Sequence, residues 1–151
     1  MLTTLEDLEQ SAVDEGIILL SAPLPVKGLF YATSNFESIT LASSLKSEKE
    51  RLCTLAHELG HHFFRPPDLF NAPSGIQQKF EYLAMRWAIR TLLPPDSVIQ
   101  AMMAGIQAPY DLAEHFGVTP DFVEKAFAFH EQYFGPMDFS KLGEIHIEEV
   151  V

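Results

Sequence analysis

Two proline pairs, Pro66-Pro67 and Pro94-Pro95, set hard limits on helix formation in this chain. Proline lacks the amide hydrogen that a helix interior needs, and its ring clashes with the preceding turn. Upstream of the first pair, Ser47-Glu48-Lys49-Glu50 has the Ser-x-x-Glu form of a capping box, in which the two side chains satisfy orphan N–H groups at a helix start. The spacing therefore predicts one helix over 48–64, a loop from Pro66 to Ser74, and a second helix from Gly75 to Leu93.

The flanking segments follow from the same punctuation. Leu2, Leu5 and Leu8 recur at helical spacing until Gly16, which predicts an opening helix. Ile17–Leu20, Gly28–Ala32 and Ile39–Leu41 are short β-like runs separated by Pro23, Pro25 and Thr33-Ser34-Asn35. Beyond Pro95, helices are expected over 96–104, 110–116 and 120–134, the last opened by Thr119-Pro120 and closed by Gly135-Pro136. The tail 143–151 alternates in part and fits an edge strand or a disordered acidic end. The expected fold class is α+β, a small antiparallel three-stranded sheet packed on a helical bundle. With 151 residues, one domain over 1–151 is the economical organisation. Within it, 1–45 gives a helix and the sheet, 46–95 a central helix pair, 96–136 the C-terminal helices and 137–151 an acidic tail.

Charge and cysteine usage exclude several function classes. The formal net charge is −11. Residues 46–90 hold seven basic against five acidic residues, whereas 91–151 set only Lys125 and Lys141 against ten acids. Such a balance repels polyanions, so direct nucleic-acid binding is not expected. No stretch reaches the ~18 apolar residues of a membrane span. The start, with Glu6, Asp7 and Glu9 and no basic residue, is unlike a secretory signal. Cys53 is the only cysteine, which rules out an internal disulfide and fits a reducing, cytoplasmic setting.

The chemistry is concentrated at His57-Glu58-Leu59-Gly60-His61 on the first of the two central helices. An α-helix turns by about 100° per residue, so His61 and Glu58 share one side with His57, while Leu52, Leu55, Ala56, Leu59 and Phe63 fall on the other. The helix thus has an apolar back and an imidazole front. Two neutral imidazoles one turn apart suit a single Zn²⁺, and Glu58 is offset enough to hold a water beside it. Zinc needs one more protein ligand. On the next helix Glu81 lies amid an apolar stripe of Ala84, Ala88, Leu92 and Met85, with Arg86 and Arg90 on the other side of the helix. A carboxylate buried there must be paired, protonated or metal-bound. We read it as the third ligand in preference to a structural ion pair. Position 67 is proline, so the longer three-histidine pattern is excluded.

These residues carry a family resemblance. His57-Glu58-Leu59-Gly60-His61, with a sheet-like segment before it and Phe80-Glu81-Tyr82-Leu83-Ala84-Met85-Arg86-Trp87-Ala88 and Leu92-Leu93-Pro94 after it, resembles the ImmA/IrrE family of zinc metallopeptidases. The similarity runs from the first helix through Val118 and the helix after it. It implies a zincin-like, gluzincin-type fold in a prokaryotic protein, zinc bound by His57, His61 and Glu81, and Glu58 as catalytic base. It also implies a cytoplasmic endopeptidase whose protein substrate is a regulator, often a helix-turn-helix repressor. Family members commonly carry Glu and Asn where this chain has Leu83 and Met85. A mixed nitrogen and oxygen site also admits Mn²⁺, Fe²⁺ or Co²⁺. The alternative function is a catalytically silent metal-binding module that sequesters a regulator, which the intact Glu58 argues against.

Other features carry less. His62 lies beyond Glu58 around the helix, so it is badly aimed for the same metal and belongs to the surface or to support of the site. Cys53, one turn before His57, is expected to be a small buried residue. Tyr82, His115, His130 and Tyr133 are candidate donors to a developing oxyanion. The segment from Asp111 to Val123 resembles a helix-turn-helix, but Asp121, Glu124 and Glu131 outnumber Lys125, so two packed helices are expected and not a DNA reader.

Overall fold

A computed structural model describes residues 2–66 and 73–134, the side chains of Tyr133 and Phe134 excepted. The tail 137–151 and most of the loop after Pro66 lie outside the described residues. The order is α1 (Leu5–Asp14), β1 (Ile17–Ala22), β2 (Gly28–Ala32), β3 (Glu37–Ala42), α2 (Glu48–Phe63), α3 (Ser74–Leu92), α4 (Pro95–Met103), α5 (Pro109–Phe116) and α6 (Pro120–Phe134). The class is α+β, as expected. The described residues form two compact units, Thr3–Ala88 and Ile89 onward, with the division inside α3.

In the first unit, α1 opens with a complete capping box: Asp7 N–H donates to Thr4 Oγ1 at 3.1 Å and Thr4 N–H donates to Asp7 Oδ2 at 2.9 Å. Gly16, at φ +74°, turns the chain from α1 into β1 in a region that other residues rarely adopt. At the start of α2 only half of the expected box forms. Glu50 N–H donates to Ser47 Oγ at 3.1 Å, but the Glu50 carboxylate accepts from Lys46 N–H at 3.3 Å instead of from Ser47.

The sheet corrects the antiparallel expectation. Its order is β1-β3-β2, with β1 and β3 parallel (Ile17 opposite Glu37, Ala22 opposite Ala42) and β2 and β3 antiparallel (Gly28 opposite Leu41, Ala32 opposite Glu37). The physical reason lies in the connections. The link from β1 to β2 carries Pro23 and Pro25, which cannot donate to a ladder, and it crosses β3 to set β2 on the far side. The Thr33–Phe36 turn, closed by Thr33 N–H donating to Phe36 O at 2.8 Å, lets β3 fold straight back on β2. The most buried strand takes the centre: Ser38, Ile39 and Ala42 of β3 are all buried. One face of the sheet packs on the helices through Ile17, Phe30 and Ile39. On the other, Ile18, Leu20, Leu29 and Tyr31 are exposed.

Leu52, Leu55, Ala56 and Leu59 of α2 are buried as its apolar back requires. Phe63 departs from that expectation. It is 42% exposed at the last turn and lies with its ring 5.0 Å from that of Trp87.

In the second unit Leu112, Ala113 and Phe116 of α5 and Phe122, Val123 and Ala126 of α6 are buried. Gly117, at φ +72°, caps α5, and Phe122 N–H donates to Thr119 Oγ1 at 3.1 Å at the start of α6. Lys125 is engaged by Asp121 at 3.1 Å. The helix-turn-helix-like segment is thus a packed helix pair whose single lysine on α6 is already in an ion pair.

Candidate metal centre

All four residues singled out at the motif and on the next helix lie in the first unit. α2 projects His57, Glu58 and His61 from the side opposite its buried leucines. α3 brings Glu81 to the same place because the two helices approach at Gly60: a Cβ there would stand 2.4 Å from the Ala84 carbonyl oxygen. Only hydrogen fits at position 60, and Glu81 is one turn before Ala84. Gly60 carried a legible signal of this contact, because a glycine inside a helix costs roughly 1 kcal/mol against alanine and marks close packing.

The two imidazole rings stack at 4.9 Å with 26° between their planes. His57 Nε2 lies 2.6 Å from Glu81 Oε1, and His61 Nε2 lies 3.0 Å from Glu81 Oε2. One donor atom from each residue falls within 4.8 Å of the other two. Three donors held at about 2.1 Å around a tetrahedral zinc stand roughly 3.4 Å apart, so this group needs only a small opening to take an ion. The set of two imidazoles and one carboxylate also suits a borderline metal ion in its chemistry.

Glu81 differs from its sequence-based description in one respect. Its side chain is 54% exposed, so burial does not force it to find a partner. What holds it is the pair of imidazoles. The hydrogen bond from His57, then that from His61, keeps the Glu81 carboxyl well below the usual carboxylate range, against a smaller upward push from desolvation. Desolvation pulls the His61 imidazole down, but the hydrogen bond and charge of Glu81, with help from Glu58, outweigh it and raise its pKa. Neither Arg86 nor Arg90 pairs with Glu81 among the described residues.

Glu58 sits between this group and β2. A Cβ at Gly28 would lie 3.1 Å from Glu58 Cγ, 3.3 Å from Glu58 Oε1 and 2.7 Å from Thr54 Cγ2, so the glycine lets the strand close over the glutamate. The nearby Phe30 backbone N–H slightly favours the charged form of its carboxylate. Burial raises the Glu58 pKa, opposed by the nearby His61 and His57, with Glu81 adding to the rise. A carboxyl group tuned upward beside imidazoles has the character of a proton acceptor that can also give the proton back.

The register makes β2 a free edge at this point among the described residues. Ala42 N–H donates to Lys27 O and Thr33 N–H to Phe36 O, so odd-numbered residues of the strand face β3, while Gly28, Phe30 and Ala32 turn their N–H and C=O groups outward. That edge runs past Glu58.

His62 points away from the His57, His61 and Glu81 group, as its helical angle predicts. It was missed as a structural centre: the side chain is only 14% exposed and lies between Glu15 and Glu37. Cys53 is half-buried. Tyr82 is half-buried on α3 beside Glu81 and His115 is exposed on α5; the Tyr133 side chain lies outside the described residues.

The Peptidase_M78 family, described as the IrrE N-terminal-like domain, matches residues 12–127. Among curated proteins none matches this chain. No helix of the described residues is long and apolar enough to cross a membrane.

Proposed function

The chain belongs to the Peptidase_M78 family, IrrE N-terminal-like, and we propose that it is a zinc-dependent endopeptidase acting in the cytoplasm on a regulatory protein. The observation that carries this reading is the convergence of His57, His61 and Glu81 beside the half-buried Glu58. His57 and His61 would hold the ion through Nε2 and Glu81 through a carboxylate oxygen. When bound, the ion supplies Lewis acidity and lowers the pKa of a water towards ~7.

The remaining work falls to the chain. Glu58, close to both imidazoles, accepts a proton from water and returns it to the leaving amine. The outward N–H and C=O groups of Gly28, Phe30 and Ala32 offer an extended substrate backbone a strand to pair with, which holds the scissile bond over Glu58. That mode reads backbone more than side chain and suits a protein substrate. A helix-turn-helix repressor is the substrate class that the ImmA/IrrE resemblance implies.

The test is Glu58→Gln, assayed for metal content and for cleavage of a candidate repressor. The expected outcome is full metal content with turnover reduced about 10²- to 10⁴-fold. Normal cleavage by Glu58→Gln would refute the role of Glu58. Wild-type protein that binds zinc and the repressor but cleaves nothing would favour the sequestering module.

A further inference from the structure

A second group of side chains closes on β2 from the C-terminal end of α2. His62 presents Nε2 to Glu15 Oε1 at 3.0 Å and Nδ1 to Glu37 Oε2. Arg65 Nη2 reaches Glu37 Oε1 at 2.8 Å. Glu37, at the start of β3, therefore fastens both residues. Both in turn flank one ring. The Arg65 guanidinium carbon lies 5.6 Å from the centroid of Phe30, and the His62 ring meets Phe30 edge-on at 6.2 Å between centroids.

Phe30 occupies a special position in its strand. It is the one β2 residue that is buried, and two positions before it Gly28 lies so close to Glu58 that a Cβ there would stand 3.3 Å from Glu58 Oε1. Among the described residues β2 has a partner strand on one side only, and a strand with one neighbour opens more readily than a central one. Its two other large side chains, Leu29 and Tyr31, lie on the exposed face of the sheet.

We propose that Arg65, His62 and Glu37 are positioning residues: by gripping the Phe30 ring they fix the free edge of β2 against Glu58. This rests on the reading of Glu58 as the base. Release of the ring would draw β2, and Gly28 with it, away from the Glu58 carboxylate and loosen the edge that an extended substrate would pair with. None of the three is among the metal-ligand residues, so the grip and the metal site are separable.

The experiment is residue-resolved amide exchange by NMR on the full chain, with Co²⁺ binding followed by visible absorption and the ¹³C resonance of the Glu58 carboxyl as companion readouts. Arg65→Gln is expected to speed exchange at the Tyr31 amide, which faces β3 beside the Phe30 ring's attachment, at least about tenfold. It should also move the Glu58 carboxyl resonance, leave the Leu19 and Ile39 amides as in wild type, and bind Co²⁺ normally. Arg65→Lys, which keeps a cation for Glu37 and Phe30, is expected to restore much of the protection. Unchanged exchange at Tyr31 in Arg65→Gln would overturn the proposal. So would equal loosening of all three strands, or an unmoved Glu58 resonance. Failure of the wild type to bind Co²⁺ would refute the metal reading instead, leaving the Tyr31 amide and the Glu58 resonance to decide the grip.

Discussion

A methyl group added at position 60 would stand 2.4 Å from the Ala84 carbonyl oxygen and 2.9 Å from its carbonyl carbon, and neither backbone atom can swing aside. Gly60→Ala must therefore push α3 away from α2. We expect a loss of about 1–3 kcal/mol in urea unfolding. Because Glu81 rides on α3, a fall of roughly 10- to 100-fold in zinc affinity should accompany it, read by competition titration. A stability loss with affinity unchanged would show that the spacing of the helices does not set the site. At the same scale the His61 pKa, raised by Glu81, fixes the sign of a pH effect. An imidazole must be neutral to bind metal, so affinity should fall with decreasing pH, beginning above the ordinary histidine value near 6.5. Glu81, held low by its histidine partners, stays ionised over that range and contributes little to the slope. Affinity independent of pH between 8 and 5.5 would contradict this.

At the scale of elements, the start of α1 and the centre of the sheet carry the testable consequences. Thr4→Ala removes one side of the capping box and should cost about 0.5–2 kcal/mol, measured by denaturant unfolding. Ile39 is fully buried in the central strand, so Ile39→Ala should cost about 2–5 kcal/mol. Helix limits were legible in the sequence because capping residues, glycines and prolines act locally: Pro66, Pro94 and Gly16 mark the ends they were expected to mark. The β2 run was legible to the residue. Which strand lies beside which was not, because alternation reveals a strand's faces and says nothing of its neighbours. The helical angle of Glu81 put it on the right side of α3, but exposure depends on what covers that side, and here nothing in α3 itself tells that the carboxylate stays 54% exposed. His62 shows the same limit. Its angle turned it away from His57, yet its partners Glu15 and Glu37 lie 47 and 25 positions away in the chain.

At the scale of the molecule, the candidate site belongs to the unit spanning Thr3–Ala88, where α1, the sheet and α2 are packed together. Metal binding to the folded state alone should stabilise that unit, by about 2.7 kcal/mol at a free ion concentration a hundred times Kd. Chelator treatment should accordingly lower the melting temperature of the wild type and leave that of Glu81→Ala unmoved. The acidic balance of residues 91–151, with Lys125 already paired to Asp121, predicts no binding of duplex DNA at physiological salt. The central claim is that His57, His61 and Glu81 together hold one divalent ion. Its most direct measurement is metal stoichiometry, by elemental analysis of folded protein purified without chelator, for the wild type, Glu58→Gln and Glu81→Ala. About one ion per chain is expected in the first two and substantial loss in the third. A wild type that carries no metal and takes up none from micromolar zinc would contradict it, as would Glu81→Ala retaining a full equivalent at wild-type affinity.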